Sequence, residues 1–238
     1  MEKGIELIDL SYQPWVFLWD ANQEQIINFG QEALDWWQLY RRDAGNEHWR
    51  LVYPLKSGIL QSQWALEQVL QHDFVLNREH LKKAKRLQIV VTGANTNLEQ
   101  ETIRRSFAQN FLKPVVIVER AAFLNQYLRA KQDFSKLKLI IDLNLDFAEL
   151  SLFLLDKNLK SKHLPLSENL DEAMLIKRLK AAIDSFILNV PSKLFQEKWQ
   201  YFYLFVHPQL KSSSILDELS RHLKMEGILN QEQLTAYV

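Results

Sequence analysis

The stretch LIIDL at residues 139–143, followed after a short connection by LSLFLLD at 150–156, decides the fold of this 238-residue chain. A worn copy of it stands near the beginning, where IELIDL at 5–10 precedes WVFLWD at 15–20. Each copy predicts an apolar strand that ends at an aspartate, a tight connection and a second apolar strand. An aspartate beside a turn at the end of a buried strand is well placed for phosphate or metal chemistry. The pair therefore indicates a duplicated α/β architecture of the nucleotide-binding kind.

The two connections lack the residue type that such chemistry needs. They read SYQP at 11–14 and NLDFA at 144–148, with no glycine in either. A turn that cradles phosphate normally uses glycine, because its backbone must approach the ligand closely and often takes positive φ. The sequence thus predicts the architecture of a nucleotide-binding fold without the glycine-containing turns that would bind phosphate.

Composition narrows the classes of function. Lysine and arginine total 29, aspartate and glutamate also total 29, and no cysteine is present. A net charge of zero provides no long-range attraction for nucleic acid, and the absence of cysteine excludes disulfides and thiol catalysis. With no basic-then-apolar leader and only strand-sized apolar runs, we expect a cytoplasmic protein. Trp36 and Trp37 would allow contact with the inner face of a membrane, although packing on a helix face is the simpler explanation for them.

The order of predicted elements indicates two similar α/β lobes. Three short strands within 5–29 are followed by alternating helices and strands, and a second set begins near residue 138. Thr96 is expected to cap a helix, with Glu99 at the capping-box position three residues later. A boundary near 133–136 divides the chain into domains at 1–135 and 136–238.

Several segments, taken in order, resemble the bacterial actin-like rod-shape-determining family (MreB-like, of the actin/Hsp70 ATPase fold). They resemble its Gly-x-Glu-Ala helix start, its Arg-Pro-Leu-Lys-Asp-Gly-Val-Ile signature, its Ala-Thr-Gln-Val-Glu and Ile-Arg stretch, its Glu-Glu-Pro and Ala-Ala junction, its Phe-Asp-Glu-Ala helix and its Leu-Asp-Glu-Leu end. The matching segments here are GQEA at 30–33, YPLKSGIL at 53–60, NTNLE at 95–99 with IR at 103–104, VIVE at 116–119 with AA at 121–122, LDEA at 170–173, and ILDEL at 215–219 with GI at 227–228 and LT at 234–235.

The resemblance implies a two-lobed actin-like fold (ribonuclease-H-like and duplicated), with a five-stranded sheet in each lobe. The first lobe, 1–135, would carry a reduced outer subdomain at about 30–60. The second lobe, 136–238, would be shortened, because one helix fills the interval in which the family carries the outer subdomain of that lobe. The sequence also stops short of the family's closing helices.

The same resemblance assigns catalytic roles to three carboxylates, but the residues around them differ from the family's in ways that argue against those roles. Asp9 and Asp142 match the aspartates that position the metal and its waters, and Glu99 matches the residue that orients the attacking water. The glycines and threonines of both phosphate loops are replaced, Asp146 adds a negative charge, and Pro14 removes a donor N–H. We therefore expect these three to be relic positions, with no catalytic residue, no metal site and no bound cofactor.

The function expected on these grounds is that of a non-catalytic bacterial actin homologue, a pseudo-actin. It would act as a structural or interaction protein in cell-shape, cytoskeletal or envelope assembly, and not as an enzyme. Its partners would be proteins, such as an intact actin-like homologue or a membrane-anchored assembly protein, rather than nucleic acid. Two alternatives stay open: a divergent ATP-binding actin-like ATPase, and a cytoplasmic assembly platform of a pilus or secretion system.

Overall fold

The computed structural model describes residues 4–11, 15–43, 45–72, 81, 83–129, 137–166, 172–188, 201–207 and 214–223. The chain divides into two compact units, Met1–Val118 and Glu119–Val238. The predicted boundary near 133–136 lies outside the described residues and stays a prediction. The helix at Arg120–Arg129, which the sequence assigned to the first domain, falls in the second unit.

The first unit contains three small sheets and three helices among its described residues. The elements are β1 Ile5–Asp9, β2 Phe17–Asp20, β3 Gln25–Phe29, α1 Gln31–Tyr40, β4 Trp49–Val52, β5 Leu55–Lys56, β6 Ile59–Leu60, α2 Gln63–Gln71, β7 Arg86–Val91, α3 Asn97–Phe111 and β8 Val115–Glu119. Their sheets are ordered β1-β7-β8, β3-β2-β4 and β5-β6, and β1 runs parallel to β7.

The five-stranded sheet expected for the first lobe is wrong for the described residues. Strand β2 pairs antiparallel with β3 along one edge and with β4 along the other. Both of its edges are therefore occupied, which leaves none for β1. The sheet of this unit is accordingly divided into β1-β7-β8 and β3-β2-β4.

The core of the first unit lies between β7 and the helices α2 and α3. Leu87, Ile89 and Val91 alternate along β7 and reach the core from one face, as the strand period of two requires. On the helices, the core residues follow the spacing of a single helix face. They are Ala65, Leu66, Val69 and Leu70 of α2 with Ile103, Phe107 and Phe111 of α3.

The second unit contains one four-stranded sheet with helices on both faces. Its described elements are α4 Arg120–Arg129, β9 Leu137–Leu143, β10 Phe147–Leu154, β11 Lys157–Pro165, α5 Glu172–Leu188, β12 Tyr201–Val206 and α6 Ser214–Leu223. The strand order is β11-β10-β9-β12, and β9 runs parallel to β12. The described residues supply four strands here rather than the expected five.

All seven residues of β9 are buried, because both faces of the sheet are covered. Leu139, Ile141 and Leu143 pack with α5 and α6, whereas Ile140 packs with Leu124 and other residues of α4. The interval between β11 and β12 contributes a single described helix, α5, as the sequence predicted.

The two units share one feature, which is the arrangement of the first strand of each (β1 and β9). In both units this strand ends at or next to an aspartate, and it pairs in parallel with a strand that follows a helix. The second copy is a true hairpin, because β9 pairs antiparallel with β10. In the first copy β1 and β2 lie in different sheets.

A buried asparagine, Asn95, lies shortly after the end of β7 and is hydrogen-bonded to the β5–β6 hairpin. The Asn95 amide donates to the Gly58 carbonyl at 2.8 Å, and its Oδ1 accepts the Leu60 N–H at 3.0 Å. The hairpin turn uses Ser57 and Gly58, both with positive φ (51° and 71°), as a two-residue turn between twisted strands requires. Thr92 joins the same network by donating to the Gly58 carbonyl.

Replacing Asn95 with alanine is expected to destabilise the first unit by about 2–3 kcal/mol, because it leaves the Leu60 N–H and the Gly58 carbonyl without this partner. Denaturant unfolding followed by circular dichroism measures the change. The matched control is Asn110→Ala, whose amide only donates to the Ser106 carbonyl on its own helix. That control should change stability by roughly 0.5 kcal/mol or less, because alanine is the better helix former. Equal effects of the two substitutions would contradict the assigned role of Asn95.

Candidate functional site

The Asp9 side chain, at the end of β1, is hydrogen-bonded within the turn that follows the strand. Its Oδ1 accepts the Ser11 backbone N–H at 2.9 Å and also the Ser11 hydroxyl. This is a local turn in which an aspartate side chain satisfies backbone two residues on. The rest of the predicted loop, at 12–14, lies outside the described residues.

Asp142, the counterpart in the second unit, forms a buried ion pair. The Arg120 Nε donates to Asp142 Oδ2, and Arg120 Nη2 donates to Asp142 Oδ1 at 3.2 Å. Both residues are nearly inaccessible, with exposed fractions of 4% for Asp142 and 7% for Arg120. Such a two-pronged contact engages both oxygens of the carboxylate. The Asn144 amide also donates to Asp142 Oδ2, at 3.0 Å.

Arg120 is the residue at this site that the sequence did not predict. It is the first residue of α4 and follows β8 directly. A cation in the first turn of a helix is unfavourable with the helix dipole, so this position calls for a nearby anion. The sequence feature that could have identified Arg120 is its position between the matched VIVE and AA segments, where the pattern of the family that the sequence resembles has Glu-Pro. Its partner lies 22 positions further along the chain and could not be deduced from spacing.

The turn after β9 is filled by side chains and closed by its own backbone. The Asn144 N–H donates to the Phe147 carbonyl at 2.9 Å, and the Leu166 N–H donates to the Asp146 carbonyl at 2.8 Å. Phe147 is fully buried and stacks on His163, with ring centroids 5.0 Å apart. The Asn144 N–H is thus engaged within the turn, and an aromatic side chain stands in the sequence where the family has a glycine-rich loop.

Glu99 forms the predicted capping box of α3. Its carboxylate accepts the Thr96 N–H at 2.6 Å, and its own N–H donates to the Thr96 hydroxyl at 3.3 Å. The expectation of a cap is therefore confirmed, and the carboxylate has a structural partner. Further along the helix, hydrogen bonds from Arg104 and then Arg105 lower the pKa of Glu101 to about 2. Both arginines are thus paired within α3.

The contacts of Asp142 show whether its surroundings suit the metal ion and nucleotide that the fold implies. Both oxygens of Asp142 already accept hydrogen bonds from Arg120. A guanidinium beside the carboxylate also repels a second cation. The described residues of the second unit therefore do not fit a nucleotide-bound metal held by Asp142.

Comparison with known proteins places this geometry in a fold. No family model and no curated protein sequence matches the chain. Among solved structures, one described as MreB5 of Spiroplasma citri bound to AMPPNP aligns with a TM-score of 0.70 and 13% identity, over 98% of this chain and 94% of that one. The chain has the actin-like fold. The expected fold class is thereby confirmed, and at this identity the likeness shows the fold alone.

Two further structures give weaker alignments. MreB5 of Spiroplasma citri bound to ADP aligns with a TM-score of 0.56 and 19% identity, over 77% of this chain and 57% of that one. A PilM–PilN type IV pilus biogenesis complex aligns at 0.49 and 12% identity, over 78% of this chain and 82% of that one, which is too weak to support an argument. Among the described helices of this actin-like chain, none is long and apolar enough to cross a membrane.

The ion pair is open to a double-mutant test. Arg120→Met is expected to cost about 3–5 kcal/mol of unfolding free energy, because it leaves the Asp142 carboxylate buried without its cation. Arg120→Met combined with Asp142→Leu should regain part of that loss, since the Asp142 carboxylate is then absent while the buried Glu149 carboxylate opposite it remains.

The matched control is Arg221→Met, which breaks the exposed pair with Glu218. This substitution should change stability by about 0.5 kcal/mol or less. Urea unfolding is measured for five proteins: the wild type, Arg120→Met, Asp142→Leu, the double variant and Arg221→Met. Additive effects of Arg120→Met and Asp142→Leu would mean that the pair is not coupled.

Proposed function

We propose that this chain is a nucleotide-independent actin-like protein that acts as a structural or interaction partner and not as an ATPase. One observation carries the proposal: the carboxylate at the end of β9 is held by the buried Arg120 guanidinium. Phosphoryl transfer depends on positioning and on charge stabilisation by a metal ion and backbone donors. At Asp142 the charge is neutralised from within the fold.

The geometry of the following turn supports the same function. Backbone N–H groups that would face phosphate oxygens in a glycine-rich loop have to remain free of internal partners. Here the N–H of Asn144 donates to Phe147, and Phe147 itself is packed on His163. A triphosphate would have to displace both this hydrogen bond and this aromatic contact.

An actin-like chain without nucleotide acts through its surface. Its proposed role is that of a scaffold, cap or partner in cell-shape, cytoskeletal or envelope assembly, with proteins as its partners. An intact actin-like homologue or a membrane-anchored assembly protein is the kind of partner that the proposal names.

Calorimetric titration of the wild-type chain with ATP and excess Mg²⁺ tests the proposal. The expected result is no binding at ligand concentrations up to about 1 mM, a level at which a site of micromolar affinity would be saturated. Asp142→Asn serves as the comparison variant. Micromolar binding by the wild-type chain that is lost in Asp142→Asn would overturn the proposal.

The alternative is a divergent ATPase, and the MreB5 structures that are described as bound to AMPPNP and ADP favour it. Glu99→Gln separates the two functions, because glutamine still completes a capping box but cannot act as a carboxylate towards water. We expect the wild type and Glu99→Gln to show the same absence of Mg²⁺-dependent phosphate release. Release by the wild type that falls at least tenfold in Glu99→Gln, at unchanged stability, would establish the alternative.

The interaction role has its own test. In co-sedimentation with an intact polymerising actin-like homologue, the chain is expected to enter the pellet or to shorten the filaments, and to remain in the supernatant when alone. Robust filaments of this chain alone would contradict the role of cap or partner.

A further inference from the structure

Two buried carboxylates lie side by side on one face of the second unit's sheet. Asp142 on β9 is directly opposite Glu149 on β10, and their exposed fractions are 4% and 3%. Directly opposed residues on antiparallel strands share a face, with Cβ atoms about 4.5–5.5 Å apart. Two ionised carboxylates at that separation, away from water, repel each other, and a nearby positive charge relieves that repulsion.

Arg120 is the cation that the geometry brings to this place. Its guanidinium contacts both oxygens of Asp142. Lys138 has the same parity on β9 but stands four residues earlier, about 13 Å away along the strand. Its ammonium donates to the Asn125 carboxamide oxygen at 2.8 Å, on α4. His163, directly opposite Glu149 on β11, is the remaining titratable group in this row.

We propose that Arg120 is a built-in cation that holds the Asp142 and Glu149 strands together at the position where a bound divalent ion would otherwise be required. The inference rests on the proposed function, because it explains how the end of β9 closes without a nucleotide and its metal. It also assigns Arg120 a role beyond pairing with one aspartate, since the charge serves two carboxylates.

The proposal has a chemical consequence that a merely structural arginine would not have. Removing the positive charge leaves two carboxylates and the Asn144 carboxamide close together, and these are the oxygen donors that Mg²⁺ and Mn²⁺ prefer. A variant without the guanidinium should therefore acquire a divalent-cation site that the wild type lacks.

The experiment compares wild type, Arg120→Gln, Arg120→Lys and the double variant Arg120→Gln with Asp142→Asn. Each is unfolded thermally in MnCl₂ or MgCl₂ at constant ionic strength, and Mn²⁺ binding is measured from the loss of the free Mn²⁺ resonance signal. Arg120→Gln should bind one Mn²⁺ and gain about 5 °C in unfolding midpoint at ten times its Kd. The wild type, Arg120→Lys and the double variant should bind none and shift by less than about 1 °C.

If Arg120→Gln is unfolded without added metal, recovery of its helical circular dichroism in 10 mM MnCl₂ supports the proposal, and failure to recover overturns it. A folded Arg120→Gln that binds no Mn²⁺, or a wild type that binds Mn²⁺ at one site, also overturns it. The nucleotide titration described above is independent of these outcomes. ATP binding by the wild type defeats the proposed function, whereas an unresponsive Arg120→Gln alongside a wild type that binds no ATP defeats only this inference.

Discussion

The buried ion pair between Arg120 and Asp142 is the constraint on which the second unit depends. A buried carboxylate without a cation costs several kcal/mol, and the fold meets that cost with a side chain of its own. The position of Arg120 at the start of α4 follows from this need, because the helix must begin where its first residue reaches the end of β9. The pair thereby connects α4 to the central strand of the sheet.

The turn after β9 is organised around the same pair. Asn144 donates its amide to Asp142 and its backbone N–H to Phe147, so one residue links the ion pair to the first residue of β10. A glycine-rich loop leaves its backbone donors free and gains order from its ligand. This turn obtains its order from internal partners, which is the physical basis for proposing an actin-like protein that does not need nucleotide.

Local signals in the sequence predicted much of the fold. The capping box of Thr96 and Glu99 depends on residues within a few positions of one another. The strand β11 was not predicted, because its two leucines, Leu159 and Leu164, are an odd number of positions apart and would lie on opposite faces of a regular strand. The register shows the reason: a bulge opposite Leu152 and Phe153 skips Leu159, so the period of two is broken there.

The site was less predictable than the fold, because its defining contact joins distant positions. Asp142 was identified as a site residue from the duplicated strand pattern, but Arg120 has no pattern that names its partner. The pairing of β2 with β4, which divides the first unit's sheet, is likewise a long-range contact. Such contacts are decided by packing and charge in three dimensions, which periodicity along the chain does not encode.

The most direct measurement of the central claim is amide hydrogen exchange across residues 139–150 of the wild-type chain, with and without saturating Mg²⁺ and ATP. Internal closure of the turn predicts that the amide of Asn144, which donates to the Phe147 carbonyl, is already protected and exchanges at the same rate in both samples. A protection that appears only with nucleotide, at the amide of Asn144 above all, would contradict the account.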